Sequence, residues 1–390
     1  MDSSSTVFDP EIATSAYIDA LGTDALARSA AYTTGNHWLL LMGLLVGAAV
    51  TLIIVRTGWL RGIEQRFHAR PNVGVFLVGV VYVLAYALIS LPWTVYTDWW
   101  RELQYELTDQ ALADFLGQAL IGTAVSALML PLFLVPLYLF IRRARKTWWI
   151  WGGALTAVFI SLVMLLAPVY LLPLFNDYQP LPEGEVRDAV EVLAAEADIP
   201  FDRIFVYDGS RQSNNFTANV AGVGNTARIA ISDVALGEAS LDEVRAVTGH
   251  EIGHYVLGHV WVGVGTFSLL SVLFFFIAAR VFPWFAAKFG ADTDIACASS
   301  LPVLLFVVSV LSTLAEPITN TVSRMDENAA DQYSLETVGL PDALASALVK
   351  TAEYRNPRPG RLEEIFFHSH PSVERRVRRA MVWKANQESD

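Results

Sequence analysis

The chain has 390 residues, of which 54% are hydrophobic and only 17% are charged, and its formal net charge is −12. This composition excludes a disordered chain, and the deficit from the roughly 25% charged residues of soluble domains indicates an integral membrane protein. The acidic balance argues against nucleic acid as a partner. Cys297 is the only cysteine, which excludes an intramolecular disulfide and a multi-cysteine metal site, so histidines and carboxylates must hold any metal.

Six stretches of the chain lack Asp, Glu, Lys and Arg over the roughly 18 to 20 residues that span a bilayer. They are rich in Leu, Val, Ile and Phe, and several end in tryptophans, which favour the membrane interface. The pattern predicts six membrane-spanning helices, and the alternative of long buried helices in a soluble protein fits it less well. The six stretches are 37–55, 71–97, 115–141, 147–176, 255–279 and 295–315.

Charged residues return in two regions, which are predicted to form one water-exposed domain in two parts. In the first part the sequence predicts a helix over 183–197, a break at Pro200 and a strand over 203–207. The expected fold is an α-helical integral membrane protein with a mainly helical domain that carries a small β-sheet. The predicted divisions are a polar segment 1–36, four spanning helices over 37–176, the first part over 177–259, two spanning helices over 260–322 and the second part over 323–390.

The first water-exposed part ends in the pentad His-Glu-Ile-Gly-His, residues 250–254. Positions i and i+4 of a helix share one face, so His250 and His254 can bind one zinc ion while Glu251 faces the water bound to it. Ser240, followed by acidic residues and apolar spacing, is a suitable N-cap for that helix. Two surface histidines around a solvated glutamate is the simpler alternative, so the pentad needs support from the rest of the chain.

A third ligand is expected, because catalytic zinc usually has three protein ligands and one position open for water. Glu327 is the candidate. Asp331 lies four residues later on the same helical face, where it can accept a hydrogen bond from a ligand imidazole and fix its tautomer. Asp326 is the nearest rival ligand, but it lies about 100 degrees around the helix from Glu327. An ordinary amphipathic helix with acidic residues toward water would also explain this spacing.

These motifs resemble those of the type I CAAX prenyl proteases, which are membrane-embedded zinc endopeptidases. The resemblance covers about 99–379 and keeps the order of the motifs, with two spanning helices between the two zinc motifs. It implies a gluzincin-like protease domain and one zinc ion per chain. The family usually has seven spanning helices, whereas six are predicted here. The matching segments are 173–176, 180–182, 208–211, the pentad with His259, 323–331 and 369–372 with Arg376.

The resemblance also implies residues beyond the metal ligands. His370 and Arg376 correspond to residues that steady the transition state, and His259 is interpreted as a polar lining residue. The family binds its substrate along an edge strand, and the flanking glycines align Thr217 with an asparagine of that strand. A peptide could also add as a strand along 219–231, and a plain hairpin is the alternative. The predicted substrate-binding residues are Thr217, Ala218, Asn219 and Val220.

The expected activity is zinc-dependent hydrolysis of peptide bonds within a membrane, with Glu251, His370 and Arg376 as catalytic residues. The resemblance implies cleavage after a prenylated cysteine near a C-terminus. An HtpX-like role in quality control of membrane proteins, on substrates that carry no prenyl group, is the alternative. A catalytically silent membrane scaffold is the rival from another class, and a secondary transporter is disfavoured because no paired repeats are visible. The expected partners are a peptide or protein substrate and membrane lipid.

The expected location is the plasma membrane of a prokaryote, in a multi-pass arrangement. The loops 56–70 and 142–146 are basic, and the positive-inside rule would put both in the cytoplasm and the zinc domain outside. The resemblance implies the reverse, a zinc domain that faces the cytoplasm. The expectation retained here is the orientation that the family implies.

Overall fold

The computed structural model describes residues 8–388 of the chain. Within them it contains fifteen α-helices and four short strands. The helices are α1 (Pro10–Asp19), α2 (Gly22–Thr57), α3 (Trp59–Arg66), α4 (Pro71–Val95), α5 (Arg101–Gln104), α6 (Leu112–Arg143), α7 (Trp148–Leu166), α8 (Glu185–Glu196), α9 (Asp233–Glu238), α10 (Leu241–Val256), α11 (His259–Phe289), α12 (Leu301–Val338), α13 (Pro341–Lys350), α14 (Arg361–Phe367) and α15 (Val373–Gln387). The strands are β1 (Tyr178–Pro180), β2 (Ile204–Tyr207), β3 (Ala218–Ala221) and β4 (Arg228–Ser232).

Six helices of the described chain are long and apolar enough to span a membrane, and the prediction of six spans is thereby confirmed. Their most apolar windows are mostly exposed within the fold, as expected for surfaces that face lipid. Two of them continue through single π-helical turns at Tyr96–Trp100 and Ala167–Leu171. The six spans are Gly22–Thr57, Pro71–Gln104, Leu112–Arg143, Trp148–Leu174, His259–Phe289 and Ala298–Val338.

Small residues let the spanning helices approach one another closely. A Cβ atom on Gly79 of α4 would lie 3.0 Å from Pro131 Cγ and 3.2 Å from a methyl group of Leu134, both on α6. Glycine at such contacts is typical of membrane helices, which associate by close packing because lipid removes the hydrophobic driving force between them. Tyr138 of α6 and Trp148 of α7 are fully buried in the core that these helices share.

The connecting segments lie at two opposite ends of the helix bundle. At one end, Glu64 accepts hydrogen bonds from the backbone N–H groups of Ala298 and Ser299, and Arg145 lies 3.7 Å from Asp294. The basic loops 56–70 and 142–146 are at this end. The opposite end carries the water-exposed domain. Arg211 of that domain is tied to the helix bundle by its salt bridge with Asp114 at the start of α6.

The water-exposed domain contains a mixed sheet with strand order β1-β2-β4-β3. The pairing of β2 with β4 is parallel, and the two outer strands pair antiparallel, with Val220 of β3 opposite Ile229 of β4. The sheet shares its core with α8 and α10 through buried Val190, Ile229 and Ile252. Because β3 is the last strand of the order, one of its edges has no neighbouring strand among the described residues.

The first and last helices of the described chain share one core cluster. Ile18 of α1 is buried in one core cluster with Leu335 and with Val377 of α15. The segment predicted as polar, 1–36, therefore contains α1 and the first turns of α2, and its residues 1–7 lie outside the described part. The predicted domain limits remain a prediction.

Candidate metal centre

The helix that carries the pentad, α10, begins where the sequence predicted. Ser240 is its N-cap, and its side chain accepts a hydrogen bond from the Glu243 backbone N–H, while Glu243 accepts one from the Ser240 N–H at 2.7 Å. This reciprocal pair satisfies two N–H groups that a helix end leaves without partners. Glu243 is 5% exposed and also bonds Lys350 at 2.9 Å and Ser346 at 2.8 Å, which ties α10 to α13.

A close approach of α10 and α12 brings the two zinc motifs together. A Cβ atom on Gly253, inside the pentad, would lie 3.2 Å from the Cα of Ala330 and 3.1 Å from the Cβ of Tyr333. Only glycine leaves room for the α12 backbone at this point. The buried Ser334 hydroxyl donates to the carbonyl of Ala246 at 2.7 Å, which fixes the register of the two helices.

His250, His254 and Glu327 form a cluster with the spacing of metal ligands, in which His250 and Glu327 are buried and His254 is partly exposed. The two Nε2 atoms lie 3.1 Å apart, and each lies 3.5 Å from an oxygen of Glu327. Tetrahedral zinc with bonds of about 2.0–2.2 Å needs ligand atoms roughly 3.3–3.5 Å apart, so this donor set fits zinc. Glu327 Oε2 is buried and makes no hydrogen bond within residues 8–388, as expected of an atom reserved for a ligand bond.

Each ligand imidazole contacts an orienting group at its second nitrogen. Asp331 Oδ1 lies 3.0 Å from Nδ1 of His250, as the helical spacing predicted. The Nδ1 atom of His259 lies 2.9 Å from Nδ1 of His254. The other ring nitrogen of His259, Nε2, lies 3.8 Å from Oδ1 of Asp326. Such outer contacts fix the tautomer and the ring plane of a ligand histidine.

The charge of His250 depends on these neighbours. Burial lowers the pKa of His250, but the hydrogen-bonded carboxylates of Asp331 and Glu327 outweigh burial and raise it to about 9. In the absence of a metal ion His250 is therefore protonated at neutral pH, and metal binding must release that proton. Metal affinity is consequently expected to weaken as the pH falls.

Glu251 lines the cavity between the pentad and β3, next to His250. Burial raises the pKa of the Glu251 carboxyl, while the neighbouring His250 and His254 oppose that rise. A carboxylate with a raised pKa is better matched to proton transfer at neutral pH than an exposed one. The cavity has a volume of about 200 Å³.

His370 and Arg376, predicted as catalytic, reach the cluster from the C-terminal segment. His370 Nε2 lies 3.1 Å from Glu327 Oε1, and burial lowers the pKa of this imidazole. The guanidinium of Arg376 donates to both oxygens of Asp331 at 2.8 and 2.6 Å and lies 3.3 Å from Glu327. Arg376 therefore fixes the position of Asp331 and is buried. The side chain of His370, in contrast, is partly exposed.

The predicted substrate residues lie on the opposite wall of the same cavity. Thr217 and Ala218 line it beside His250, and Asn219 and Val220 continue along β3. The Asn219 Oδ1 atom is buried and has no hydrogen-bond partner in the described part of the chain. The free edge of β3 thus runs beside the metal cluster.

One residue of the site was not found by sequence reasoning, and a second was given a different role. Arg355 lines the cavity with His370, but it lies in an irregular loop where no spacing signals a function. His259 was interpreted as a lining residue, yet it contacts His254 directly. Its position after the left-handed Gly258, between α10 and α11, turns its ring back toward the pentad. That chain reversal is not visible in helical spacing.

A mostly buried His-His-Glu cluster beside a glutamate, at the water-exposed end of a multi-pass helical bundle, defines the class: a membrane-embedded metallopeptidase. Residues 180–384 match the family model described as Peptidase family M48, and residues 11–177 match that described as CAAX prenyl protease N-terminal, five membrane helices. The chain belongs to Peptidase family M48. Between 11 and 177 the structure has four helices long enough to span, against the five of that description.

Similar proteins occur in bacteria and eukaryotes. The uncharacterized metalloprotease YhfN of Bacillus subtilis is 30% identical over 91% of this chain and 85% of its own length. The CAAX prenyl protease 1 of Saccharomyces cerevisiae is 29% identical over 80% of this chain and 73% of its own. The crystal structure of S. mikatae Ste24p shares the fold, with a TM-score of 0.74, 20% identity and 95% coverage of both chains. The chain is accordingly a membrane metalloendopeptidase, as predicted.

Proposed function

We propose that this metalloendopeptidase uses one catalytic zinc ion held by His250, His254 and Glu327. The observation that carries the proposal is the mostly buried cluster, in which the ligand atoms lie 3.1–3.5 Å apart and Glu327 Oε2 lacks a hydrogen-bond partner among the described residues. When bound, zinc supplies Lewis acidity, which activates a water molecule and polarises the scissile carbonyl. Asp331 and His259 orient the two ligand imidazoles, and Arg376 holds Asp331 in place.

Glu251 acts as the general base. It accepts a proton from the water that attacks the peptide carbonyl and returns the proton to the leaving amine, so that it ends the cycle ionised. The raised pKa that burial gives this carboxyl supports both steps.

His370 stabilises the oxyanion that forms when the carbonyl is attacked. Its side chain is 33% exposed and lines the cavity together with His250 and Glu327. Arg376 was predicted to share this role, and its guanidinium is close enough to add positive charge even while it bonds Asp331. Arg355, on the same wall, is a further source of positive charge. Removing one oxyanion donor typically slows such reactions about 100-fold to 1000-fold.

The substrate binds as an added strand along β3, through residues 217–220. The free edge of β3 supports this mode, because backbone N–H and C=O groups at a sheet edge can pair with an extended peptide. Strand addition places the scissile bond by the backbone alone, so it tolerates varied side chains.

The favoured substrate is a protein with a prenylated cysteine near its C-terminus, cleaved after that cysteine. Two findings support this proposal. Residues 11–177 match the family model described as CAAX prenyl protease N-terminal, and several relatives are named CAAX prenyl proteases. The alternative is an HtpX-like quality-control role on membrane proteins without a prenyl group. The complete set of His250, Glu251, His254 and Glu327 argues against a silent scaffold, which does not need them.

A substrate comparison tests the proposal. The full chain in detergent is given a farnesylated CAAX peptide, the same peptide without the farnesyl group and an unfolded fragment of a membrane protein, with Glu251→Gln as the blank. Preferential cleavage of the farnesylated peptide after its cysteine supports the prenyl protease. Equal cleavage of both peptides with rapid cleavage of the fragment supports quality control, and no cleavage of any substrate by zinc-loaded chain supports the scaffold.

The proposed location is a prokaryotic plasma membrane with the zinc domain in the cytoplasm, as the family resemblance implies. The charge distribution favours the opposite orientation, since the basic loops 56–70 and 142–146 lie at the end of the bundle away from the zinc domain. A membrane-impermeant thiol reagent on intact cells decides between them. In a Cys297→Ser background, Asp202→Cys reports on the zinc domain and Arg66→Cys on the opposite end. Labelling of Arg66→Cys alone supports the proposal, and labelling of Asp202→Cys alone overturns it.

A further inference from the structure

A second group of metal-binding side chains lies outside the catalytic cluster. His37 comes from α2, Glu363 from α14 and His368 from the segment directly after α14. One ligand atom from each of these three residues lies within 4.8 Å of the others. His37 is the first residue of the apolar stretch 37–55, and Glu363 and His368 belong to none of the motifs described above. Their meeting joins positions more than 320 residues apart.

Two nitrogen atoms of this cluster are buried without hydrogen-bond partners. The Nε2 atoms of His37 and His368 are both inaccessible to solvent and bond nothing within residues 8–388. Glu363 Oε1 lies 3.7 Å from His368 Nε2, which is beyond hydrogen-bond range. Leaving a buried polar atom unpaired costs about 1–3 kcal/mol, so two such atoms in one cluster of metal-binding residues point to a ligand there.

The three side chains are held in place by contacts that do not use these atoms. The His37 ring stacks on Phe367 with centroids 4.0 Å apart and planes at 24°. Glu363 Oε2 accepts a hydrogen bond from the Gly360 N–H at 3.1 Å, which leaves Oε1 directed at His368. Arg324 of α12 donates to the carbonyl of His368 at 2.5 Å. The site is therefore built, with its donor atoms left free.

Two imidazoles and one carboxylate are a donor set that suits zinc and similar divalent transition metals. A cavity of about 150 Å³ borders His37 and His368, which leaves space for a water molecule as a fourth ligand. Zinc needs its ligand atoms about 3.3–3.5 Å apart, so small side-chain rotations would contract the cluster from its present separations.

We propose that His37, Glu363 and His368 bind a second zinc ion, which fastens the first membrane helix to the segment that carries His370. His368 is two residues before His370, whose Nε2 lies 3.1 Å from Glu327. The same segment is already tied to α12 by Arg324 and by Asn320, which donates to the Phe366 carbonyl at 3.0 Å. The second ion adds a further tie to α2, beside the stack of His37 on Phe367. Its role is to position the segment and not to take part in hydrolysis.

Zinc counting on the full chain in detergent tests this site independently of the proposed function. The wild type, equilibrated with Zn²⁺ and freed of excess metal, is expected to hold two zinc ions per chain by elemental analysis. His37→Phe, which keeps the ring stack on Phe367, and Glu363→Gln, which keeps the acceptor for Gly360, are each expected to hold one. His68→Ala, which removes an exposed histidine outside both clusters, is the matched control and is expected to hold two.

A second set of variants assigns the ions to their sites. The pair His250→Ala and His254→Ala is expected to leave one zinc ion, and addition of His37→Phe is expected to leave none. The proposal would be overturned if Glu363→Gln and His37→Phe hold as many zinc ions as the wild type, or if the His250 and His254 double variant holds none. One zinc ion in the wild type that the double variant keeps and His37→Phe loses would instead count against the catalytic site. If His37→Phe loses all zinc through misfolding, Glu363→Gln decides, with one ion supporting the site and two ions refuting it. Loss of peptide cleavage with both ions retained would count against the proposed function only.

Discussion

The site is assembled from two regions, the helix pair α10 and α12 and the C-terminal segment 354–370, and most of their side chains differ in exposure. On the helix pair, His250, Glu327 and Asp331 are 7%, 6% and 1% exposed, and the His254 side chain is 26% exposed. On the segment, the His370 side chain is 33% exposed, and irregular backbone leads to it. The catalytic metal cluster is thus mostly buried between two packed helices, whereas His370 lies on a loop that Arg324 and Asn320 fasten to α12.

Because of this difference, single substitutions can change metal content and catalytic activity separately. Changes at His250, His254, Glu327 or Asp331 should alter metal content and activity together. A change at His370 should alter activity and leave metal content as it is. Variants that break this division, in either direction, would show that the two regions do not have the separate roles assigned to them.

The largest expected effect comes from the helix pair. His254→Ala removes one of three ligands, so we expect both the catalytic zinc ion and peptide cleavage to be lost. Zinc per chain and the rate of cleavage are measured on the same preparation. Retention of cleavage at the wild-type rate would show that His254 is not a ligand.

A smaller effect is expected from the segment. His370→Ala should reduce kcat about 100-fold to 1000-fold, because one oxyanion donor is removed, with the zinc content unchanged. Steady-state kinetics and elemental analysis give the two numbers, and His68→Ala serves as the control. A loss of zinc in His370→Ala would place His370 among the metal-binding residues instead.

Asp331→Asn tests the orienting contact to His250. The substitution keeps the shape but removes the charge that Arg376 and His250 share, so metal affinity is expected to fall about 10-fold to 100-fold. Competition with a chelator of known affinity measures this change. An unchanged affinity would show that Asp331 stabilises the fold through Arg376 and does not act on the ligand.

The smallest effect is expected at the N-terminus of α10. Burial of Glu243 raises its pKa, but hydrogen bonds from Ser240, Lys350 and Ser346 outweigh burial and hold the pKa below its usual value. The stabilisation is therefore fully present above the unfolded pKa of about 4.3 and is lost as the pH falls through the lower folded value. Glu243→Gln should destabilise the chain by about 1–2 kcal/mol at neutral pH.

Thermal unfolding in detergent at several pH values checks this expectation. The difference between Glu243→Gln and the wild type should be largest at neutral pH and should shrink in acid. A difference that does not depend on pH would mean that the charge of Glu243 contributes nothing. Asp242→Asn, an exposed neighbour, is the matched control.

Much of the fold could be predicted because its signals are local. Stretches without charge mark the six spans, and the spacing of His250, Glu251 and His254 needs only one helix. The Ser240 cap and the strand near 204–207 also follow from neighbouring residues. The helix α1 was missed because its apolar residues pack on α15, and its own sequence has too little amphipathic pattern to indicate a buried face.

The rest of the site depends on contacts between distant segments. Glu327 could be named from its motif, but its approach to the pentad requires Gly253 against Ala330, which only the packed helices reveal. Arg355 reaches the cavity on an irregular loop, and His37 meets His368 across most of the chain. No spacing rule connects such pairs, so single-sequence reasoning could not find them.

The most direct test of the central claim is to compare Glu251→Gln with the wild type for zinc content and peptide cleavage in one experiment. The account predicts the same zinc content in both and a rate of cleavage about 100-fold to 10,000-fold lower in the variant, because a general base is removed and no ligand is changed. Cleavage at the wild-type rate by zinc-loaded Glu251→Gln would contradict the assignment of the cluster as a peptidase site.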